Sequence, residues 1–321
     1  MGLERQPETG RVCRGQRLNQ GRARDDIRIL FPSSYPTSQS RIEEAREALE
    51  PHGDRFCFHW PTELRARRKG DATDYLAGSD QERCQAIVGF LRSDQAVGWF
   101  GRGGYGLTRI LPLLTDSLSG LSMSSTKRWM GYSDISALFA LCKVLSLPVE
   151  CIHGPMACAF AYQPNKEVLL RALRGEPAPI PLTTSKPEVE FHGSIWGGNL
   201  AVLASLCGTR WLPTPNADCA IFLEDVDEAP YRVDRYFTQL YQAGFFSQTQ
   251  KVILGTFTQF EPAFAVYDTA VSRCQELGLD FLGRVPVGHS EPHSPIFLDK
   301  PYRYSPSERC LVPNFQGQGQ S

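Results

Sequence analysis

The chain has 321 residues, 41% hydrophobic and 21% charged, which is enough for a sizeable core without disulfides or metals and suggests about two domains. Its 34 basic and 35 acidic side chains leave a net charge of −1, so there is no broad field to attract nucleic acid or an anionic membrane. No run approaches the ~18 consecutive apolar residues of a membrane span. The ten cysteines include no C-x-x-C pair, and several sit in apolar stretches, such as Cys142 in LFALCKVL and Cys219 in DCAIFL. They read as free thiols in a reducing compartment rather than as a disulfide framework.

Residues 1–25 are Arg-rich and polar, without the apolar centre of a secretory signal, and Glu4, Glu8 and Asp25 argue against a transit peptide. They read as a disordered extension, and a cytoplasmic location follows. Ile27–Phe31 forms a first strand closed by Pro32-Ser33-Ser34, and RIEEAREAL (41–49) has helical spacing that stops before Pro51. A helix is expected over Ser79–Leu91, then a short buried strand at Val97–Phe100. The glycine-rich Gly101–Gly106 follows, then helical character over Leu107–Leu114. Arg128–Tyr132 is a further strand, Asp134–Leu147 an apolar helix ending at Pro148, and Val149–Ile152 the last strand of the series. Strands alternating with helices over residues 26–163 define an α/β domain, a parallel sheet flanked by helices. Residues 164–190, with Pro164, Pro177, Pro179, Pro181 and Pro187, have linker composition. Beyond them, His192–Trp196, Cys219–Leu223 and Lys251–Leu254 read as strands, and Asn199–Cys207 and Tyr231–Tyr241 as helices, of a second domain over 191–321.

Four segments carry candidate chemistry. Gly101-Arg102-Gly103-Gly104-Tyr105-Gly106 matches G-x-G-x-x-G between a strand and a helix, the setting of a dinucleotide-binding turn. The acidic residue expected about 20 positions on is missing: Asp116 comes too early and Asp134 only after the next strand. The loop reads as a tight turn needing φ > 0, as a nucleotide site, or as bare amides facing a reacting oxygen. Met130-Gly131-Tyr132-Ser133-Asp134-Ile135 reads either as a nucleophile elbow on Ser133 or as a helix cap, and Ile135 stands where G-x-S-x-G has its second glycine. The strand Ala220–Leu223 opens into Glu224, Asp225, Asp227 and Glu228, which are either solvated or hold one carboxylate, Glu224, inside against an imidazole. Val285–Gly288 runs into His289, with His293 and His153 as competing histidines. None of the six histidines has a metal-ligand spacing such as H-E-x-x-H, so no metal is expected.

Together these segments resemble the LD-carboxypeptidase family of serine peptidases, which includes the microcin-immunity peptidases. The resemblance runs from Ile27 to His289 and is carried by RGGYG (102–106), GYSD (131–134), GGNLAVLASLCGT (197–209), FLEDVDEAPYRVDR (222–235) and VGH (287–289). It implies an N-terminal α/β domain followed by a smaller β-rich C-terminal domain. It also implies a triad of Ser133, Glu224 and His289, and an oxyanion hole from the backbone amides of Gly104 and Asp134. No cofactor is implied. The implied substrate is a cytoplasmic muropeptide losing its terminal D-amino acid, and the implied assembly a homodimer. A terminal carboxylate suits an arginine fork, for which Arg102 is the candidate and Arg232 and Arg235 are alternatives. Cleavage of peptidyl or aminoacyl adenylate analogues is the alternative within the family, and nucleotide binding at Gly101–Gly106 the alternative outside it. The chain departs from the family at Phe31-Pro32-Ser33-Ser34, where Ala-Pro-Ser is usual. It departs again after His289, where Pro295–Asp299 replaces a Leu-Pro-Leu-Gly-like stretch.

Overall fold

A computed structural model describes residues 24–36, 38–62, 72–121, 123, 125–184, 191–258 and 263–314. Most of the expected N-terminal extension, and residues 185–190 of the expected linker, lie outside the described residues.

The first half is built from β1 (Asp25–Leu30), α1 (Ser40–Leu49), β2 (Phe56–His59), α2 (Asp80–Arg92), β3 (Val97–Phe100), α3 (Leu107–Leu118), β4 (Lys127–Gly131), α4 (Ser136–Val144) and β5 (Val149–His153). The five strands pair in parallel in the order β2-β1-β3-β4-β5. The alternation of β1 sorts its side chains onto two faces. Ile27 and Ile29 join Trp99, Met130 and Ile152 in one cluster, under Leu49 of α1. Leu30 joins Phe100, Trp129 and the inner faces of α2, α3 and α4 in the other. The sheet is thus covered on both sides, as a parallel sheet must be. The chain winds one way from β1 to β2 and the other way from β3 to β5, so a switch point lies between β1 and β3. In such sheets the crevice beyond the strand C-termini at the switch point is where ligands bind.

The second half comprises α5 (Lys166–Leu173), β6 (Ile180–Pro181), β7 (His192–Asn199), α6 (Leu200–Ser205), β8 (Ala220–Val226), α7 (Pro230–Gln242), β9 (Lys251–Thr258), α8 (Ala263–Glu276), β10 (Asp280–Arg284), β11 (Ile296–Phe297), β12 (Pro301–Ser305) and β13 (Cys310–Pro313). Its sheet has the order β10-β9-β8-β7-β12-β13-β6: parallel from β10 to β7 and antiparallel from there on. The strand-rich second unit expected from the resemblance is present.

Two features cross between the halves. β11 pairs antiparallel with β5 and so adds a sixth strand to the first sheet from the far end of the chain. Helix α4 is buried along Ser136–Cys142 because the second half packs over it. At its start, the Ser136 hydroxyl accepts the Asn199 N–H at 3.0 Å. This close approach requires Gly198, where a Cβ would sit 2.4 Å from Ser136 Oγ.

Within 164–190 the structure contains α5, with Leu169, Leu170, Ala172 and Leu173 buried, and the edge strand β6. The prolines flank that eight-residue helix rather than interrupting it.

Candidate active site

The loops after β1, β3, β4 and β5 and the end of β8 converge at the crevice that the switch point creates. The glycine-rich loop follows β3. Its backbone is pinned by Ser34, whose N–H donates to Gly103 O at 3.1 Å and whose hydroxyl accepts the Tyr105 N–H at 3.1 Å. Gly104 has φ +100°, and a Cβ there would lie 2.4 Å from Ser34 Oγ, so only glycine fits. Arg83 of α2 is fully buried beneath the loop and donates to Pro32 O at 2.6 Å and Gly106 O at 2.8 Å. The helix presenting it has a capping box, Ser79 with Glu82, worth about 1 kcal/mol.

Ser133 follows β4 at φ +60°. A β-substituted residue held in this left-handed region is strained by roughly 1–3 kcal/mol. The conformation is the sharp strand-to-helix turn that lifts a nucleophile clear of its backbone. Asp134 is buried and its carboxylate accepts the Leu107 N–H at 2.9 Å, capping α3 rather than its own helix. Burial raises its carboxyl pKa to about 6, against the lowering effect of that hydrogen bond. A Cβ on Gly103 would lie 3.0 Å from Ser133 Cβ and 3.2 Å from its Oγ, so the glycine-rich loop and the serine are in direct apposition.

Glu224 lies at a register shift between Leu223 and Asp225 in the pairing of β8 with β9. The extra residue is on β9, which advances three residues from Leu254 to Phe257 while β8 advances two, and Glu224 and Asp225, adjacent on β8, are both buried. Glu224 Oε2 is 2.8 Å from His289 Nδ1. Burial would raise the Glu224 carboxyl, but the facing His289, with His153 behind it, holds it well below the usual carboxylate range. Burial likewise lowers His289, but Glu224 outweighs it and leaves the imidazole above the ordinary histidine value. Gly288, at φ +133°, permits this approach: a Cβ there would lie 2.5 Å from Thr256 Oγ1 and 2.8 Å from Glu224 Oε2. Asp225 serves another purpose. It accepts N–H groups from Asn199 Nδ2, Ala201 and Val226, each at 2.9 Å, and burial, with the Glu224 charge beside it, raises its pKa to about 7.

A cavity of about 490 Å³ is lined by Ser133, His289, Gly103, Gly104, Arg102 and Arg41, among others. Arg102 is half-buried and donates to Tyr35 O, and burial lowers its pKa. Arg41, at the start of α1, stacks 4.3 Å over the Tyr162 ring; its position in a helical repeat gave no sign that it faces the cavity. Arg232 pairs with Glu228 one helical turn away, and Arg235 stacks on Tyr231. Neither lines this cavity. His153, treated in the sequence as a competitor of His289, is buried with Nε2 3.7 Å from Glu224 Oε1. A larger cavity of about 740 Å³ opens beside α4, but there Lys143 pairs with Asp299 and Lys300 with Glu150, and it contains none of the converging groups.

On this two-sheet α/β fold, the imidazole of a carboxylate–imidazole pair shares a cleft with a strained serine and a glycine-rich loop. Residues 27–154 match the LD-carboxypeptidase N-terminal domain and residues 192–303 the LD-carboxypeptidase C-terminal domain, and the chain belongs to the LD-carboxypeptidase family. By family it is a carboxypeptidase. The murein tetrapeptide carboxypeptidase of Pseudomonas aeruginosa is 32% identical over 248 residues, 72% of this chain and 76% of that protein. A putative carboxypeptidase of Streptomyces coelicolor is 34% identical over 229 residues, 69% of this chain and 73% of its own. The crystal structure of muramoyltetrapeptide carboxypeptidase from Oxalobacter formigenes shares the fold at a TM-score of 0.70 and 22% identity, covering 90% of this chain and 100% of that one. An MccF-like protein from Bacillus anthracis does so at a TM-score of 0.72 and 20% identity, covering 91% and 98%. Among the described residues no helix is long and apolar enough to cross a membrane.

Proposed function

We propose that this chain is a serine carboxypeptidase that hydrolyses the L,D-peptide bond of cytoplasmic murein tetrapeptides and releases the terminal D-Ala through an acyl-enzyme. The observation that carries the reading is the 2.8 Å contact of His289 Nδ1 with a buried, ionised Glu224, in a cavity that His289 shares with Ser133. With Nδ1 engaged, Nε2 remains to take the proton from Ser133 Oγ as that oxygen attacks the scissile carbonyl. Glu224 fixes the imidazole tautomer and stabilises the imidazolium. The amides of Gly104 and Asp134 hold the developing oxyanion, each donor contributing roughly 3 kcal/mol. Collapse breaks the C–N bond, His289 returns the proton to the departing amine, and water hydrolyses the resulting Ser133 ester. Arg102 receives the terminal carboxylate of the substrate, with Arg41 as a second cation on the same wall. No metal or organic cofactor enters this scheme, and the assembly is a homodimer.

The test compares two substrates on the wild-type protein and on Ser133→Ala. Release of D-Ala from an L,D-linked tetrapeptide, abolished in the variant, supports the reading. Preferential cleavage of an aminoacyl sulfamate would assign the cleft to adenylate analogues instead. Unaltered activity in the variant, or tight dinucleotide binding at Gly101–Gly106, would overturn it.

A further inference from the structure

The carboxylate of Glu224 has two oxygens, and the proposed triad uses only one. Oε2 faces His289, whereas Oε1 is buried without a hydrogen-bond partner. On that side lies His153, the last residue of β5, which is fully buried and has both ring nitrogens unpartnered. Its Nε2 is 3.7 Å from Glu224 Oε1, just beyond hydrogen-bond length. Two orphaned groups therefore face each other across a gap that a small side-chain rotation closes, and closing it satisfies both.

The surroundings hold His153 in that orientation. Its ring packs edge-on against Phe222 of β8, with centroids 5.0 Å apart, and against Tyr132 at 5.9 Å. Tyr132 also contacts His289 at 4.6 Å and His293 at 5.0 Å, so one phenol ring touches all three imidazoles. The loop after His153 is tied down by Trp99, whose indole N–H donates to Pro155 O at 2.7 Å. His293 lies 5.4 Å from the His153 ring, buried, and burial keeps its pKa well below the ordinary value. Asp225 is committed to Asn199, Ala201 and Val226. Among the described residues the ionisable groups around the Glu224 carboxylate are thus His289, His153, His293, Asp225 and the Tyr132 phenol.

We infer that His153 is a positioning residue of the catalytic apparatus, its Nε2–H donating to Glu224 Oε1 while His289 occupies Oε2. This rests on the reading of Ser133, Glu224 and His289 as the triad. A carboxylate held from both sides cannot rotate away from His289, and a donor on the far oxygen draws off part of its charge. The second donor therefore moderates the basicity that Glu224 imposes on His289 and disfavours transfer of the imidazolium proton to the carboxylate.

Two substitutions separate this from simple packing. H153L removes the donor, and H153Q supplies an amide donor of similar reach. H153L is expected to lower kcat roughly 10- to 100-fold, the effect of losing a hydrogen bond to a charged group, with KM nearly unchanged. It is also expected to move the acid limb of the kcat/KM profile to higher pH, whereas H153Q restores most of both. Equal losses in the two variants, or an acid limb that stays in place in H153L, would overturn the inference. Should H153L not fold, ¹⁵N NMR of the histidine-labelled wild type answers the same question: an Nε2–H tautomer at His153 is expected, and an Nδ1–H tautomer contradicts it. Ser133→Ala run beside these keeps the failures apart, because activity surviving there removes the triad itself.

Discussion

The two halves of the candidate site are fixed by different physics. On the N-terminal side, Ser133 and the glycine-rich loop are set by backbone conformation: φ +60° at Ser133, φ +100° at Gly104, and a buried arginine that grips two carbonyls. On the C-terminal side, Glu224 and His289 are set by a buried charge and a neutralising partner, beside a bulge of β9. The first side is expected to respond most to changes of shape, and the second most to changes of charge. Each side is therefore expected to fail in its own way when altered.

The largest expected effect is Ser133→Ala, which removes the proposed nucleophile from the backbone-set half and is expected to cut kcat by about 10⁴- to 10⁶-fold while melting behaviour is retained. Steady-state kinetics and a thermal melt on one preparation check this. Glu224→Gln tests the charge-set half with little change of shape. It is expected to lower kcat by roughly 10³- to 10⁴-fold. It also moves the acid limb of kcat/KM. In the wild type that limb is expected above the ordinary histidine range, because the proposed base His289 must be neutral to accept a proton and Glu224 raises its pKa against burial. With the Glu224 charge gone, burial opposed only by Asp225 acts on His289, and the limb is expected to move to lower pH. A limb that does not move would remove the contrast between the halves.

Gly104→Ala inverts that experiment. Its Cβ would meet Ser34 Oγ at 2.4 Å, so the loop must shift and activity is expected to fall about 10- to 100-fold, with the pH profile unchanged. A shifted profile would show that the loop also sets the electrostatics. The smallest effects belong to the cations of the cleft. Arg102→Ala is expected to raise KM about 10-fold with a lesser change in kcat, and Arg41→Ala, more exposed, only a few-fold. Titration with substrates bearing a free or an amidated terminus tells whether these arginines read the carboxylate.

How much of this was legible in the sequence follows the same division. Short apolar strands alternating with spaced helices made β1, α1, α2, β3, β4, α4 and β5 readable, because period and punctuation are local properties. Strand β2, embedded in an Arg-rich stretch, and α5, bracketed by prolines, drew their stability from tertiary burial that no local window contains. Gly-rich and G-Y-S-D segments advertised the backbone-set half. The charge-set half was singled out chiefly through the family resemblance. The four carboxylates from Glu224 to Glu228 look alike in sequence, and only their partners in the fold separate Glu224, which meets His289, from Asp225, which holds Asn199, Ala201 and Val226. His153 read as a competitor for a role it lies beside, since its distance to Glu224 depends on how two sheets pack. Arg41 sits in a regular helical repeat, and its exposure to the cleft depends on where α1 docks.

The central claim is that Ser133 carries the acyl group in turnover. Acid quenching of the protein with an L,D-linked murein tetrapeptide, followed by peptide mass mapping, tests it most directly. The account predicts a tripeptidyl ester on the peptide containing Ser133, absent in Ser133→Ala. An adduct on another residue, or turnover in which no acylated protein forms, would contradict it.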